Sequence, residues 1–96
     1  MSGALPTSEH RPTLASGVRL HHDAIRERHV LLFPEGALVL NETAAAVLAL
    51  CDGVRTIDDI AAELAPQFGG ADVRADVAEL VAGIAAEGLM DRDDER

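Results

Sequence analysis

The 96-residue sequence contains no tryptophan, tyrosine or lysine, only two phenylalanines and a single cysteine. So few aromatic rings leave almost nothing on which nucleic-acid bases could stack. One cysteine forms neither an internal disulfide nor a cysteine-based metal site, which favours a reducing compartment. No apolar run approaches the roughly 20 residues of a transmembrane helix, and residues 1–13 lack the features of a signal peptide. These absences predict a soluble, cytoplasmic protein.

The charge is strongly acidic and unevenly distributed. Seventeen acidic and eight basic residues give a net charge of −9, and all of the excess lies in residues 41–96. Such a balance opposes binding to nucleic acid and to anionic membranes, because both present negative charge to a partner. With 48% hydrophobic and 26% charged residues, the composition is that of one globular domain.

The first half of the chain carries strand patterns. Alternation over residues 18–23 predicts a first strand, followed by a turn at residues 24–27. Arg28–Phe33 is apolar on both faces, which is typical of a central strand. Pro34 and Gly36 suit the second and fourth positions of a type I turn, after which residues 37–40 resume as a third strand. The pattern predicts a three-stranded antiparallel meander.

Three helices are expected after the strands. Asn41 is a good N-cap for the first, Thr56 with Asp59 predicts the start of the second, and Asp72 would open the third. Apolar side chains then recur at helical spacing. The expected buried faces are Val47, Leu48 and Cys51; Ile57, Ile60, Ala61, Leu64 and Phe68; and Val73, Val77, Leu80, Val81 and Ile84.

Glycines mark the expected helix ends. The pairs Asp52-Gly53 and Gly69-Gly70 would end the first two helices. Gly88 would end the third, with Leu89 and Met90 folding back. Three strands followed by three helices predict an α+β, winged-helix-like domain over residues 14–90. Residues 1–13 are expected to form a flexible N-terminal tail and residues 91–96 a charged C-terminal tail.

No constellation of catalytic side chains emerges. Adjacent strand residues point to opposite faces, so only one of His21 and His22 could join His29 at a metal, and no carboxylate spacing adds ligands. Cys51 falls on a buried helix face, where a thiol packs as a small hydrophobe. The glycines form no phosphate-binding pattern. The sequence therefore predicts no catalytic, cofactor-binding or metal-binding residue.

A winged-helix architecture raises the alternative of a DNA-binding regulator, whose third helix would enter the major groove. In this chain that helix carries one cation, Arg74, among four acidic residues, which would repel phosphate. Those acidic residues are Asp72, Asp76, Glu79 and Glu87. DNA binding is therefore disfavoured.

The third strand offers an unprotected edge. It is short and apolar, with no lysine or inward-pointing charge to block pairing. An extended peptide could add a fourth strand there. The chain's own tail or a second copy could equally cover the edge, so a monomer and a weak, strand-exchanged homodimer both remain open.

Several sequence blocks, at this spacing over residues 14–90, resemble the PqqD family of pyrroloquinoline quinone biosynthesis. The blocks are Leu31-Leu32-Phe33-Pro34-Glu35-Gly36, Leu40-Asn41-Glu42-Thr43-Ala44, Cys51-Asp52-Gly53, Thr56, Asp76-Val77 and Glu87-Gly88-Leu89.

The resemblance implies a non-catalytic peptide chaperone without a cofactor, a recognition element for ribosomally made, modified peptides. Such a protein holds the precursor peptide PqqA and presents it to the radical SAM enzyme PqqE. The peptide would lie along the third strand and against the third helix, in a pocket between them. The implied peptide-binding residues are Ala37, Leu38, Val39, Leu40, Val73, Arg74, Val77, Leu80, Val81 and Ile84.

One position departs from the family. Several members carry a basic residue just before the Leu-Asn pair, where this chain has Val39. A polar contact to an acidic peptide would then be missing, and Arg74 or an arginine of the strand half is the expected replacement. Related recognition domains serve other peptide pathways, so a different leader peptide is the main alternative partner.

Overall fold

In a computed structural model of the protein, residues 10–68 and 73–91 are described. The expected order of three strands followed by three helices is confirmed. None of the helices has the length and apolar character needed to traverse a bilayer, as far as the described residues go. The elements are β1 (Arg19–Asp23), β2 (Arg28–Phe33), β3 (Gly36–Leu40), α1 (Glu42–Ala49), α2 (Ile57–Leu64) and α3 (Val73–Ala86).

The strands form one antiparallel sheet in the order β1-β2-β3. The central position of β2 agrees with its apolar character on both faces. The predicted third strand begins one residue earlier than expected, because Gly36 pairs with Phe33 directly across the turn.

The register gives the sheet two different faces, because successive side chains along a strand alternate. Leu31 is completely buried and lies opposite Leu20 and Leu38. This side belongs to the hydrophobic core, and we call it the core face. The other side, the outer face, carries Arg19, His21, Asp23, Arg28, Val30, Leu32, Ala37 and Val39.

The predicted helix starts at Asn41 and Thr56 are confirmed. The Asn41 side-chain oxygen accepts from the Ala44 amide at 2.7 Å. Thr56 and Asp59 form a reciprocal capping box, each side chain accepting from the other residue's amide at 3.0 Å. These caps satisfy amides at the helix ends that have no partner within the helix. The predicted start at Asp72 lies outside the described residues.

The first two helices end earlier than predicted. Helix α1 ends at Ala49 rather than at Asp52-Gly53, because the chain turns there to meet the N-terminal segment. Gly53 donates to the carbonyl of Pro12 at 2.9 Å. Helix α2 ends at Leu64, and Pro66 explains why, since proline has no amide with which to continue the helical hydrogen bonds. Residues 69–70, the predicted stop, lie outside the described part of the chain.

Residues 10–13 are built into the domain, although the sequence predicted them as part of a flexible tail. Pro12 is fully buried, and the carbonyl of His10 accepts from Ile57 at 3.1 Å. Thr13 accepts from the Asp91 amide at 2.8 Å. The domain therefore begins before residue 14, because this segment pairs with positions distant in sequence.

The end of α3 follows the prediction. Gly88 has a φ of +80°, and its amide donates to Ala85 at 2.9 Å, while Leu89 donates to Ile84 at 3.3 Å. This pair of bonds is a Schellman motif. Leu89 and Met90 fold back and are buried, as expected, and Met90 pairs with Leu14.

Replacement of two glycines of this region by alanine should change the free energy of unfolding in opposite directions. Neither would bring a new Cβ within 4 Å of another group, but only Gly88 has a positive φ. Gly83→Ala should raise the free energy of unfolding by about 0.5–1 kcal/mol, because glycine disfavours a helix interior. Gly88→Ala should lower it by about 1–2 kcal/mol, because alanine is strained in the left-handed region. Urea denaturation measures both, and equal effects would contradict the assigned α3 boundary.

Candidate functional site

The edge of β3 is open in the described structure, where the strand pairs only with β2. A two-residue loop joins β2 to β3. The residues that flank such a loop, here Phe33 and Gly36, exchange backbone hydrogen bonds. Because bonding alternates along an antiparallel pair, Gly36, Leu38 and Leu40 bond inwards to β2. Ala37 and Val39 therefore present two amides and two carbonyls to the open edge.

Side chains beside this edge are accessible. Ala37 is exposed, Leu38 is 38% exposed and Val39 is 55% exposed, whereas Leu40 is buried. No lysine or inward-pointing charge interrupts the strand, as the sequence analysis noted. An incoming strand would thus meet both unpaired backbone and apolar surface.

A cavity of about 400 Å³ lies between α1, the end of α2 and α3. Its size falls in the range of small-ligand and side-chain pockets. The apolar floor and the polar or acidic rim come from different residues. The floor is Ala44, Val47, Leu64, Phe68, Val73, Val77 and Leu80, and the rim is Asn41, Thr43, Asp76 and Glu79.

The cavity includes part of the expected α3 wall, but none of its lining residues belongs to β3. No Cα atom of β3 lies within 8 Å of a Cα atom of α3, whereas α1 approaches both elements. Leu38 and Val81, both expected at the pocket, do not line the cavity. Asn41 nevertheless joins the two regions, because it follows Leu40 of β3 directly and lines the cavity itself.

The expected α3 residues occupy three environments. Val73, Val77 and Leu80 line the cavity, and Leu80 is the one of these that is only partly buried. Val81 and Ile84 are 1% and 6% exposed and pack in the core. The one cation of the set, Arg74, is exposed, and its Nε lies 2.6 Å from Asp58 Oδ1.

Sequence reasoning did not anticipate the contributions of α1 and α2 to the cavity. Val47 and Leu64 were expected only as core residues, and Thr43 was not singled out for binding. Phe68, which the helical spacing predicted on the buried face of the second helix, lies beyond the end of α2 and is 37% exposed, so that prediction is wrong. Large exposed apolar side chains often mark binding surfaces.

The histidines do not assemble into a metal site within the described residues. The register pairs His22 with His29, and their ring centroids are 4.8 Å apart. His21 lies on the outer face, as the strand alternation predicted. No group of three or more potential ligands comes together in residues 10–68 and 73–91.

Cys51 lies in the hydrophobic core, as expected for a small apolar side chain. Its thiol donates to the carbonyl of Val47 at 3.3 Å. Burial, and secondarily the neighbouring Asp52 carboxylate, raises the pKa of the Cys51 thiol to about 12. The reactive thiolate is therefore suppressed near neutral pH.

A small α+β domain with an open sheet edge and an adjacent apolar cavity has the features of a strand-addition peptide binder. A solved structure of that class is similar: the PqqD part of Methylobacterium extorquens PqqCD, described as a functional, stand-alone recognition element for ribosomally synthesised and modified peptides. The two chains are 38% identical and superpose with a TM-score of 0.73, covering 84% of this chain and 88% of the other.

The family model for coenzyme PQQ synthesis protein D (PqqD) matches residues 28–90, and the chain belongs to this family. A "PqqA binding protein" of Xanthomonas oryzae pv. oryzae is 43% identical, covering 88% of this chain and 94% of that protein. A bifunctional coenzyme PQQ synthesis protein C/D of Methylorubrum extorquens is 40% identical over 84% of this chain. The match spans 22% of that longer protein.

The buried thiol gives a test of the packing around the site. Native protein should react with iodoacetamide at pH 8 far more slowly than protein unfolded in guanidinium chloride, because only the unfolded chain exposes an ionisable thiol. The reaction can be followed by mass spectrometry. Equal native and unfolded rates would show that Cys51 is not held in the core.

Proposed function

We propose that this protein binds the precursor peptide PqqA and presents it to the radical SAM enzyme PqqE in pyrroloquinoline quinone biosynthesis, without catalysing a step itself. The observation that carries the proposal is the open β3 edge, where Ala37 and Val39 present unpaired backbone groups. Membership of the PqqD family and relatives named PqqA binding proteins support the choice of peptide.

Edge pairing alone would bind a peptide weakly. Four backbone hydrogen bonds at about 1 kcal/mol each give about 4 kcal/mol. Micromolar affinity requires about 8 kcal/mol, after the costs of ordering the peptide. Burial of two apolar side chains at about 1.5–3 kcal/mol each would supply the difference.

The cavity provides a place for one of those side chains. A peptide that follows β3 to Leu40 reaches Asn41 and Thr43 at the rim, and beyond them the apolar floor. Leu38, at the exposed edge of the core face, offers a second apolar contact. Of the ten residues implied by the family resemblance, the peptide path we propose uses Ala37, Leu38, Val39, Val73, Val77 and Leu80.

The remaining four would act indirectly. Leu40, Val81 and Ile84 pack in the core and hold β3 and α3 in place. Arg74 pairs with Asp58 through its Nε, and the two NH2 groups of its guanidinium are the donors that would meet an acidic peptide. The acidic rim formed by Asp76 and Glu79 disfavours a nucleic-acid partner, because it would repel phosphate.

A titration of isotope-labelled protein with synthetic PqqA peptide tests the proposal. We expect amide shifts concentrated at Ala37 and Val39 and at the cavity residues Thr43 and Leu80, saturating at micromolar peptide. Val39→Pro should raise the dissociation constant at least about tenfold, because it removes an outward amide that the peptide needs. The fold should persist, because that amide does not bond to β2.

Val39→Ala is the matched control, since it shortens the same side chain but keeps the amide. Its affinity should fall less than that of Val39→Pro. Equal peptide affinity in wild type and Val39→Pro would contradict strand addition. If another pathway's leader peptide induced these amide shifts and PqqA did not, that leader peptide would be the partner and the proposed one would be wrong.

Two substitutions of similar size on α3 distinguish a cavity residue from a core residue. Leu80→Ala should weaken PqqA binding by about tenfold with a small loss of stability, because Leu80 is only partly buried and lines the cavity. Ile84→Ala should lower the free energy of unfolding by about 2–4 kcal/mol and leave the affinity of the folded protein unchanged. Calorimetric titration and thermal denaturation distinguish them. The opposite pattern would move the peptide path away from α3.

A further inference from the structure

The outer face of the sheet carries an apolar patch that does not belong to the core. The patch is Val30, Leu32, Ala37 and Val39. Val30 is only 7% exposed, yet it lies outside the core cluster. Val39 remains 55% exposed. The core face packs against α1.

Cationic side chains border the patch. The register places Arg19 beside Leu32 on the β1 side and Arg28 at the end of the face. Neither arginine forms an ion pair with a described carboxylate. This local charge contrasts with the net charge of −9 of the chain.

The one acidic residue on the outer face is engaged elsewhere. Asp23 Oδ1 accepts from the amides of Ile25 and Arg26, and Oδ2 lies 3.3 Å from Arg26 Nη1. Its carboxylate therefore caps the β1–β2 turn. The face that a partner would meet is apolar at its centre and cationic along its border.

We propose that the outer face docks a protein whose contact surface has an apolar centre bordered by carboxylates, namely the enzyme that receives the peptide. This inference rests on the proposed function. The peptide would occupy the β3 edge and the cavity, so the enzyme needs a surface that stays free. The outer face is such a surface, and its charge complements an acidic border.

The position of the patch also links the two partners. Ala37 and Val39 belong both to the patch and to the open edge. A peptide strand added at that edge would extend the outer face, and alternate peptide side chains would emerge beside Val39. An enzyme on this face would contact the adaptor and the peptide together.

The same charges disfavour a second copy as the occupant. Two outer faces placed together would bring Arg19 and Arg28 of both copies into proximity, and like charges oppose association. An acidic partner has no such penalty. The choice of the modifying enzyme over a homodimer follows from this difference.

Binding of PqqE to the protein loaded with PqqA tests the inference, with a matched pair of charge reversals. Arg19→Glu changes the outer face, whereas Arg26→Glu makes the same charge change in the adjacent turn. We expect Arg19→Glu to weaken PqqE binding at least about fivefold at low salt, and Arg26→Glu to have less than half that effect. The Arg19→Glu penalty should shrink at high salt.

Peptide binding, measured alone, separates the two hypotheses. Both variants should bind PqqA within about threefold of wild type. Failure of the wild type to bind PqqA would reject the proposed function. Normal peptide binding with equal PqqE affinity in Arg19→Glu and Arg26→Glu would overturn the docking face alone. An absence of PqqE binding to loaded wild type would reject both the docking face and the presentation of the peptide to PqqE.

Other occupants have distinct signatures. Val39→Thr keeps the shape and the backbone but removes apolar character, and it should weaken PqqE binding severalfold. A concentration-dependent dimer that Val39→Thr dissociates would assign the face to a second copy. Shifts of the Val30 and Leu32 amides on removal of residues 2–9, without any partner, would assign it to the N-terminal segment. Either result would overturn the inference.

Discussion

The packing of α1 is the contact on which the rest of the structure depends. This eight-residue helix touches all three strands and both other helices, and no other element does so. Its buried residues Ala44, Ala45, Val47 and Leu48 join the sheet and the helical layer into a single core. The small alanines let neighbouring backbones approach closely, and the Asn41 cap fixes where the helix begins.

That arrangement also creates the candidate site. Helix α1 supplies part of the cavity wall, and Asn41, which follows β3 directly, joins the open edge to the cavity. The edge offers backbone hydrogen bonds, which peptides of many sequences can form. The cavity buries an apolar side chain and therefore selects among peptide sequences. A peptide binder built this way gains affinity from the edge and selectivity from the cavity.

Local features were predictable from the sequence because they depend on neighbouring residues. The caps at Asn41 and Thr56, the turn before Gly36 and the central position of β2 each follow from nearby residue types. Packing between distant segments was not predictable. Helical spacing placed Leu80 and Val81 in one stripe, but only the position of α1 decides that Val81 is core while Leu80 lines the cavity. The pairing of residues 10–13 with residues 53, 57 and 91 likewise has no local signal.

The pairing of the two chain ends has a consequence for how this domain combines with others. Ala15 bonds to Leu89 and Asp91 to Thr13, so entry and exit points are adjacent. The β3 edge and the outer face take no part in those bonds. A polypeptide attached at either point therefore need not cross the β3 edge or the outer face, which makes the domain suited to gene fusion, the arrangement seen in the bifunctional C/D protein.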